Sequence, residues 1–181
     1  TSRELINVFM EYGLRYEVGG AEGFGGLYVK NNTNNTPMDV AIKNMYGERK
    51  WVALSIMMRY VPDAPILHSF VSQRQMLHNI KTIIGKYPQS IQVEDSNGQL
   101  PIHLALSKNM GLSCETTLTY IVDAYPAGLD ISDPVTGLLP FALAATGSHS
   151  LSFQYNLLRK SPTYFSTKEW VSSGAIVKKE E

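Results

Sequence analysis

Apolar residues along this chain recur mostly at the spacing of a helix with one buried face. Ile6, Phe9 and Met10 form one such set, and Met76, Ile80, Ile83 and Ile84 form another. Leu118, Ile121, Val122 and Tyr125 repeat the pattern, as do Leu151, Tyr155 and Leu158. Spacings of three and four residues place each set on one stripe, so each predicts an amphipathic helix that buries it. Proline follows each later stretch at once or after one residue, in Tyr60-Val61-Pro62, Tyr87-Pro88, Tyr125-Pro126 and Lys160-Ser161-Pro162. Proline cannot continue a helix and biases the residue before it away from helical geometry, so these are helix stops.

The stops belong to a repeat. YPQSIQVEDSNGQLPIHLAL (87–106) aligns with YPAGLDISDPVTGLLPFALAA (125–145) once one inserted residue is allowed. Asp95 then matches Asp133, Gly98 matches Gly137, and Leu100-Pro101 matches Leu139-Pro140. TPMDVAI (36–42) and APILHSF (64–70) are weaker copies, and Pro37, Pro65, Pro101 and Pro140 lie 28, 36 and 39 positions apart.

The residues after each of these prolines predict a short helix. Proline suits its first turn, where a missing N–H costs nothing. Thr36 stands where a cap belongs, and the small residues Ala41, Ala105 and Ala144 allow close approach of a neighbouring helix. Asn31–Asn35, Asp95–Gly98 and Asp133–Gly137 read as turns or hairpin tips, with Gly98 and Gly137 supplying positive φ. Leu27, Tyr28 and Val29 suit a short strand leading into the first tip. Pro62 and Pro65 leave no room for a tip between them, so one is missing there. The elements expected are a long helix over 2–15 and helix pairs over 37–60, 65–86, 101–125 and 140–160. Residues 1–165 form this array, and 166–181 are a C-terminal cap or tail.

Composition narrows the function. Of 181 residues, 44% are hydrophobic, enough for a continuous core. Lys+Arg and Asp+Glu both number 16, so no bulk charge draws the chain to nucleic acid or an anionic membrane. No apolar stretch approaches the length of a membrane span, so no direct membrane insertion is expected. The single cysteine, Cys114, excludes an internal disulfide and points weakly to a reducing compartment. An intracellular, by default cytoplasmic, location is expected; an organelle stays open because the chain begins at Thr1 rather than Met.

TPMDVA, LPIHLA and LPFALA resemble the TPLHxA signature of ankyrin repeats, with APILHS as a degenerate copy. Paired with the Tyr-Pro helix ends, they resemble the divergent ankyrin-like proteins of unicellular algae. The resemblance implies a mainly α fold, an ankyrin-type solenoid of stacked helix pairs with short β-hairpin or turn fingers. It implies about four pairs after an N-terminal outer helix, with one finger missing near 62–65. It also implies structural roles for Thr36, Pro37, Ala41, Pro65, Gly98, Pro101, His103, Ala105, Gly137, Pro140 and Ala144.

Little in the chain suggests catalysis. His68, His78, His103 and His149 have no metal-ligand spacing, and His103 reads as a backbone-bonding residue between repeats. The glycine-rich stretch 19–26 lacks the GxxxxGK[ST] of a phosphate loop. Cys114 precedes a helix and has no histidine near it in sequence. The sequons at Asn31 and Asn34 read as a polar turn, and Trp51, Met57, Met58 and Tyr60 as a core cluster. Phe165 and Trp170 are candidates to cover the end of the stack.

The expectation is a non-catalytic scaffold for other proteins, with no cofactor, no metal and no nucleic-acid partner. Tip residues Asn31, Asn32, Asn35, Ser96, Asn97, Val135 and Thr136 are the candidate contacts, with Asp39, Lys43, Ser107 and Lys108 on the short-helix face. Such positions vary without disturbing a stack. The alternatives are a structural subunit permanently held in a large assembly and a non-catalytic part of a larger enzyme.

Overall fold

The structure is a computed structural model, described here for residues 2–18, 26–33, 35–44, 47–107, 115–147 and 149–161. It is mainly helical: α1 (Ser2–Arg15), α2 (Pro37–Asn44), α3 (Glu48–Tyr60), α4 (Ile66–Ser72), α5 (Leu77–Lys86), α6 (Pro101–Ser107), α7 (Glu115–Ala124), α8 (Pro140–Thr146) and α9 (Leu151–Lys160). Single 3-10 turns at Pro88–Ile91 and Pro126–Asp130 follow α5 and α7. Among the described residues no helix is long and apolar enough to cross a membrane.

The helix ends follow from local chemistry. Val61, Tyr87 and Tyr125, each before a proline, take nearly one conformation, with φ of −134°, −133° and −145° and ψ of 71°, 71° and 74°. Their N–H groups still close the last turns, onto the carbonyls of Met57, Ile83 and Ile121. Proline's ring disfavours α geometry at the residue before it, so the α-helix stops there. At the start of α2, the Thr36 hydroxyl accepts from the Asp39 N–H at 3.0 Å, and the Asp39 carboxylate accepts from the Thr36 N–H at 3.0 Å. This reciprocal pair satisfies two donors that the first turn would otherwise leave open.

The short helices pack in series, α2 on α4, α4 on α6 and α6 on α8, and each also packs on the long helix that follows it. Ala41, Ala105 and Ala144 are buried at these contacts, beside Ile42, Leu67, Phe70, Leu106 and Leu143. Long helices pack on one another at α1–α3 and α5–α7. Side-chain bonds tie the long layer at both ends: Lys50 to Gln75, Glu115 to Ser150, Glu11 to Tyr60, and Lys160 to Asp123. Met57 and Met58 are buried, with Trp51 and Tyr60 half-buried against the same core.

Three expectations are corrected. Leu27–Val29 is a turn, not a strand: Val29 N–H donates to the Gly26 carbonyl and Met38 N–H to that of Leu27. These bonds commit the Val29 N–H to the turn and the Leu27 carbonyl to the start of α2, so neither is free for a ladder. On α9 the buried stripe is Phe153 and Leu157, whereas Leu151 and Tyr155 are 82% and 59% exposed. Met76 and Phe9 are exposed as well; Met76 caps α5 instead of joining its buried face.

Candidate interaction surface

Three loops share one construction, each headed by an Asn or Asp. Asn31 N–H donates to the Asn35 carbonyl at 2.9 Å, and Asp95 N–H to that of Gln99 at 3.0 Å. Asp133 N–H reaches one residue further, to Leu138 at 2.9 Å, which absorbs the residue inserted in that copy. Each head side chain then turns inward and accepts from its own loop. Asn31 Oδ1 takes the N–H groups of Thr33 and Asn35, and Asp95 Oδ1 takes those of Asn97 and Gln99. The Asp133 carboxylate takes those of Val135 and Thr136, with the Thr136 hydroxyl at 2.6 Å. Short polar side chains hold such turns by imitating a backbone carbonyl. Gly98 and Gly137, at φ 74° and 72°, close the second and third loops in the left-handed region. The Gly98 and Gly137 N–H groups also donate back to the Asp95 and Asp133 carbonyls, and no strand occurs among the described residues.

Ser96, Asn97, Val135 and Thr136 are exposed at the tips. Their loops lie side by side: a Cβ on Gly98 would stand 3.4 Å from Pro134 Cγ. Asn31 and Asn32 are exposed and Asn35 half-buried on a loop set apart from those two. Between them α3 and α4 are joined by the tight turn 61–65, where Ala64 N–H donates to Val61 and no head residue occurs. On the short helices Lys43 and Ser107 are exposed, and the Ser107 hydroxyl donates to the Leu104 carbonyl. Asp39 is committed to the Thr36 cap. Lys108, Cys114, Asn34, residues 19–25 and residues 162–181, with Phe165 and Trp170, lie outside the described residues.

Behind the tips runs a buried polar ladder that pattern reading missed. His68 Nε2 donates to the Gln99 carbonyl at 2.7 Å, and Gln99 Nε2 donates to Asp133 Oδ1 at 2.7 Å. His103 accepts from the Leu100 N–H at Nδ1 and donates from Nε2 to the Ile131 carbonyl, at 3.1 and 2.9 Å. His103 is thus neutral with its proton on Nε2, and it joins the start of α6 to the segment before the third loop. Burial pushes the His68 imidazole below its ordinary pKa, outweighing the Gln99 carbonyl and Asp95, and its Nδ1 has no partner. For Asp133 burial acts upward, but donation from Thr136, Gln99 and Val135 wins and holds the carboxyl below its usual range. One signal of the ladder was available: Gln99 is polar where the aligned copy has Leu138.

These donors and acceptors hold loops to helices and to one another. Among the described residues no group of three His, Cys, Asp or Glu side chains stands close enough for a metal ion. Two of the loop tips lie side by side above this buried polar ladder. Comparison with known proteins returned no matching family model, curated protein or solved structure.

Proposed function

We propose that this chain is a non-catalytic protein-binding array of ankyrin type, a helical solenoid whose fingers are the Asx-headed loops. Its short helices line the concave side, and other proteins dock on the tips and that face. The observation that carries the proposal is the recurrence of head residue, loop, short helix, long helix and pre-proline residue over 31–61, 95–125 and 133–161, with the head and loop missing only before α4. Such units stack on nearest neighbours and present a row of loops along one edge. The tips suit recognition because their backbones are held from within while Ser96, Asn97 and Val135 face solvent. A rigid loop loses little entropy when a partner binds.

A second reading, a structural subunit of a large assembly, is favoured by one feature. Among the exposed residues of α1 are the apolar Leu5 and Tyr12, 71% and 57% exposed, followed by Tyr16 just past its end at 66%. Apolar patches of this kind mark contact surfaces.

Affinity purification from the source cells, with the intact chain as bait, tests both readings. A parallel bait carries Asn97→Lys and Val135→Lys, whose side chains take no part in holding the loops. Proteins recovered by the first bait and lost from the second support tip recognition. Identical recovery with both rejects it, and stoichiometric co-migration with one large complex favours the subunit reading.

A further inference from the structure

Asn97 is the single asparagine of the chain that is followed by glycine. Glycine has no side chain to shield its backbone nitrogen, so that nitrogen can approach the side-chain amide of the residue before it. Asn97 is exposed at the tip of the second loop, and no described residue holds its side-chain amide. The backbone around it is held from three sides. Gly98 N–H donates to the Asp95 carbonyl at 2.9 Å, which keeps the nitrogen protonated and turned away from attack. Asp95 Oδ1 accepts from the flanking N–H groups of Asn97 and Gln99. Gln99 is in turn fastened through its carbonyl to His68 and through its side chain to Asp133.

We propose that Asn97 is a latent deamidation site, which reacts when the second loop opens and whose product keeps the loop from closing again. In the open loop the Gly98 nitrogen loses its proton to hydroxide and attacks Asn97 Cγ. The bond from Cγ to the side-chain nitrogen breaks, ammonia leaves, and a cyclic imide forms. Water adds to one of the two imide carbonyls and reopens the ring. One opening leaves aspartate; the other leaves isoaspartate, whose backbone runs through the former side-chain carbon. That added carbon lengthens a turn closed by one short bond, with Pro134 already beside Gly98. Either product also sets a new carboxylate near Glu94 and Asp95, on a stretch with no lysine or arginine between Lys86 and Lys108, and like charges repel. The modification stands whether or not the tips bind other proteins; where they do, it turns a neutral contact into an anionic one.

The test incubates the intact chain at mildly alkaline pH, digests it with trypsin and follows the peptide 87–108 by mass spectrometry; Asn97 is the only asparagine in that peptide. In guanidinium chloride Asn97 should convert ahead of every other asparagine. In the folded chain the same product should form about ten- to a hundred-fold more slowly, as expected for a loop that opens locally. Gln99→Ala and Asp95→Ala each loosen the closed loop and should raise the folded rate about two- to ten-fold, with circular dichroism checking the fold. Asn97→Gln should abolish the product. The converted chain, separated by ion exchange, should show altered NMR shifts at Gln99 and Asp133. Equal rates in folded and unfolded chain, no conversion of the folded chain after about a hundred unfolded half-lives, unchanged rates in both loosened variants, or a product with Gln99 and Asp133 unshifted overturns the proposal.

Discussion

Gln99 donates its side-chain amide to the carboxylate of Asp133 across 2.7 Å, joining two buried residues 34 positions apart. The bond ties the end of one Asx-headed loop to the head of the next. Asp133→Ala strands the buried Gln99 amide and removes the acceptor of the Val135 and Thr136 N–H groups, and should cost about 1–3 kcal/mol. A double-mutant cycle with Gln99→Ala, read by urea denaturation, should give a coupling of about 1–2 kcal/mol. A coupling near zero would mean that the two loops are held by their apolar contacts alone.

Stability should fall in mild acid through His68. Its Nε2–H is committed to the Gln99 carbonyl and its Nδ1 is buried without a partner, so a second proton has no acceptor. The folded-state pKa lies below the ordinary value because burial disfavours the charged ring. The unfolded chain therefore binds more protons as pH drops, and this stability is complete above about pH 6.5 and declines below it. His68→Gln removes the titration and should flatten the stability profile between about pH 7 and pH 5. An unchanged slope would assign the acid response to another group.

The two stripes of α9 make a sharper contrast than their composition suggests. Phe153 is 5% exposed and its ring lies tilted against His149 with centroids 5.4 Å apart, while Leu151 is 82% exposed. Phe153→Ala should cost about 3–5 kcal/mol. Leu151→Ala should lie within about 0.5 kcal/mol of the parent. Equal effects in chemical denaturation would place the opposite face of α9 against the core.

The cap on α2 is open to an equally direct test. Thr36→Ala removes the oxygen that accepts the Asp39 N–H, and a loss of about 1 kcal/mol is expected. In a domain of this size that lowers Tm by about 2–4 °C. Asp39→Ala removes the return bond, and the double variant should lose less than the sum of the two. Full additivity would show that the two bonds act separately.

The helix boundaries were legible because their causes sit within a few residues of each end. A helix expected over 2–15 runs Ser2–Arg15, and the pair expected over 37–60 begins at Pro37 and ends at Tyr60. The expected tip segments also appear as loops, at the places marked by Asn31, Asp95 and Asp133. The polar ladder was not legible, because Asp133 looks like any turn aspartate until Gln99 is brought against it. Nor was the turn at Leu27–Val29, whose alternation resembles a strand but whose hydrogen bonds go to Gly26 and Met38.

What the sequence determined by itself is therefore where each helix starts and stops and that the chain is mainly helical. Proline sterics, side-chain caps and glycine at positive φ act on the adjacent backbone and need no distant partner. Only the tertiary structure decided which stripe of a helix is covered. Leu151, Tyr155 and Leu158 satisfy the helical period on α9, yet Phe153 and Leu157 are the residues buried there. It also decided that Phe9 and Tyr12 of α1 stay exposed while Met10 between them is buried. Period specifies that a face is apolar; burial requires a neighbour, and the neighbours here come from segments far apart in the chain.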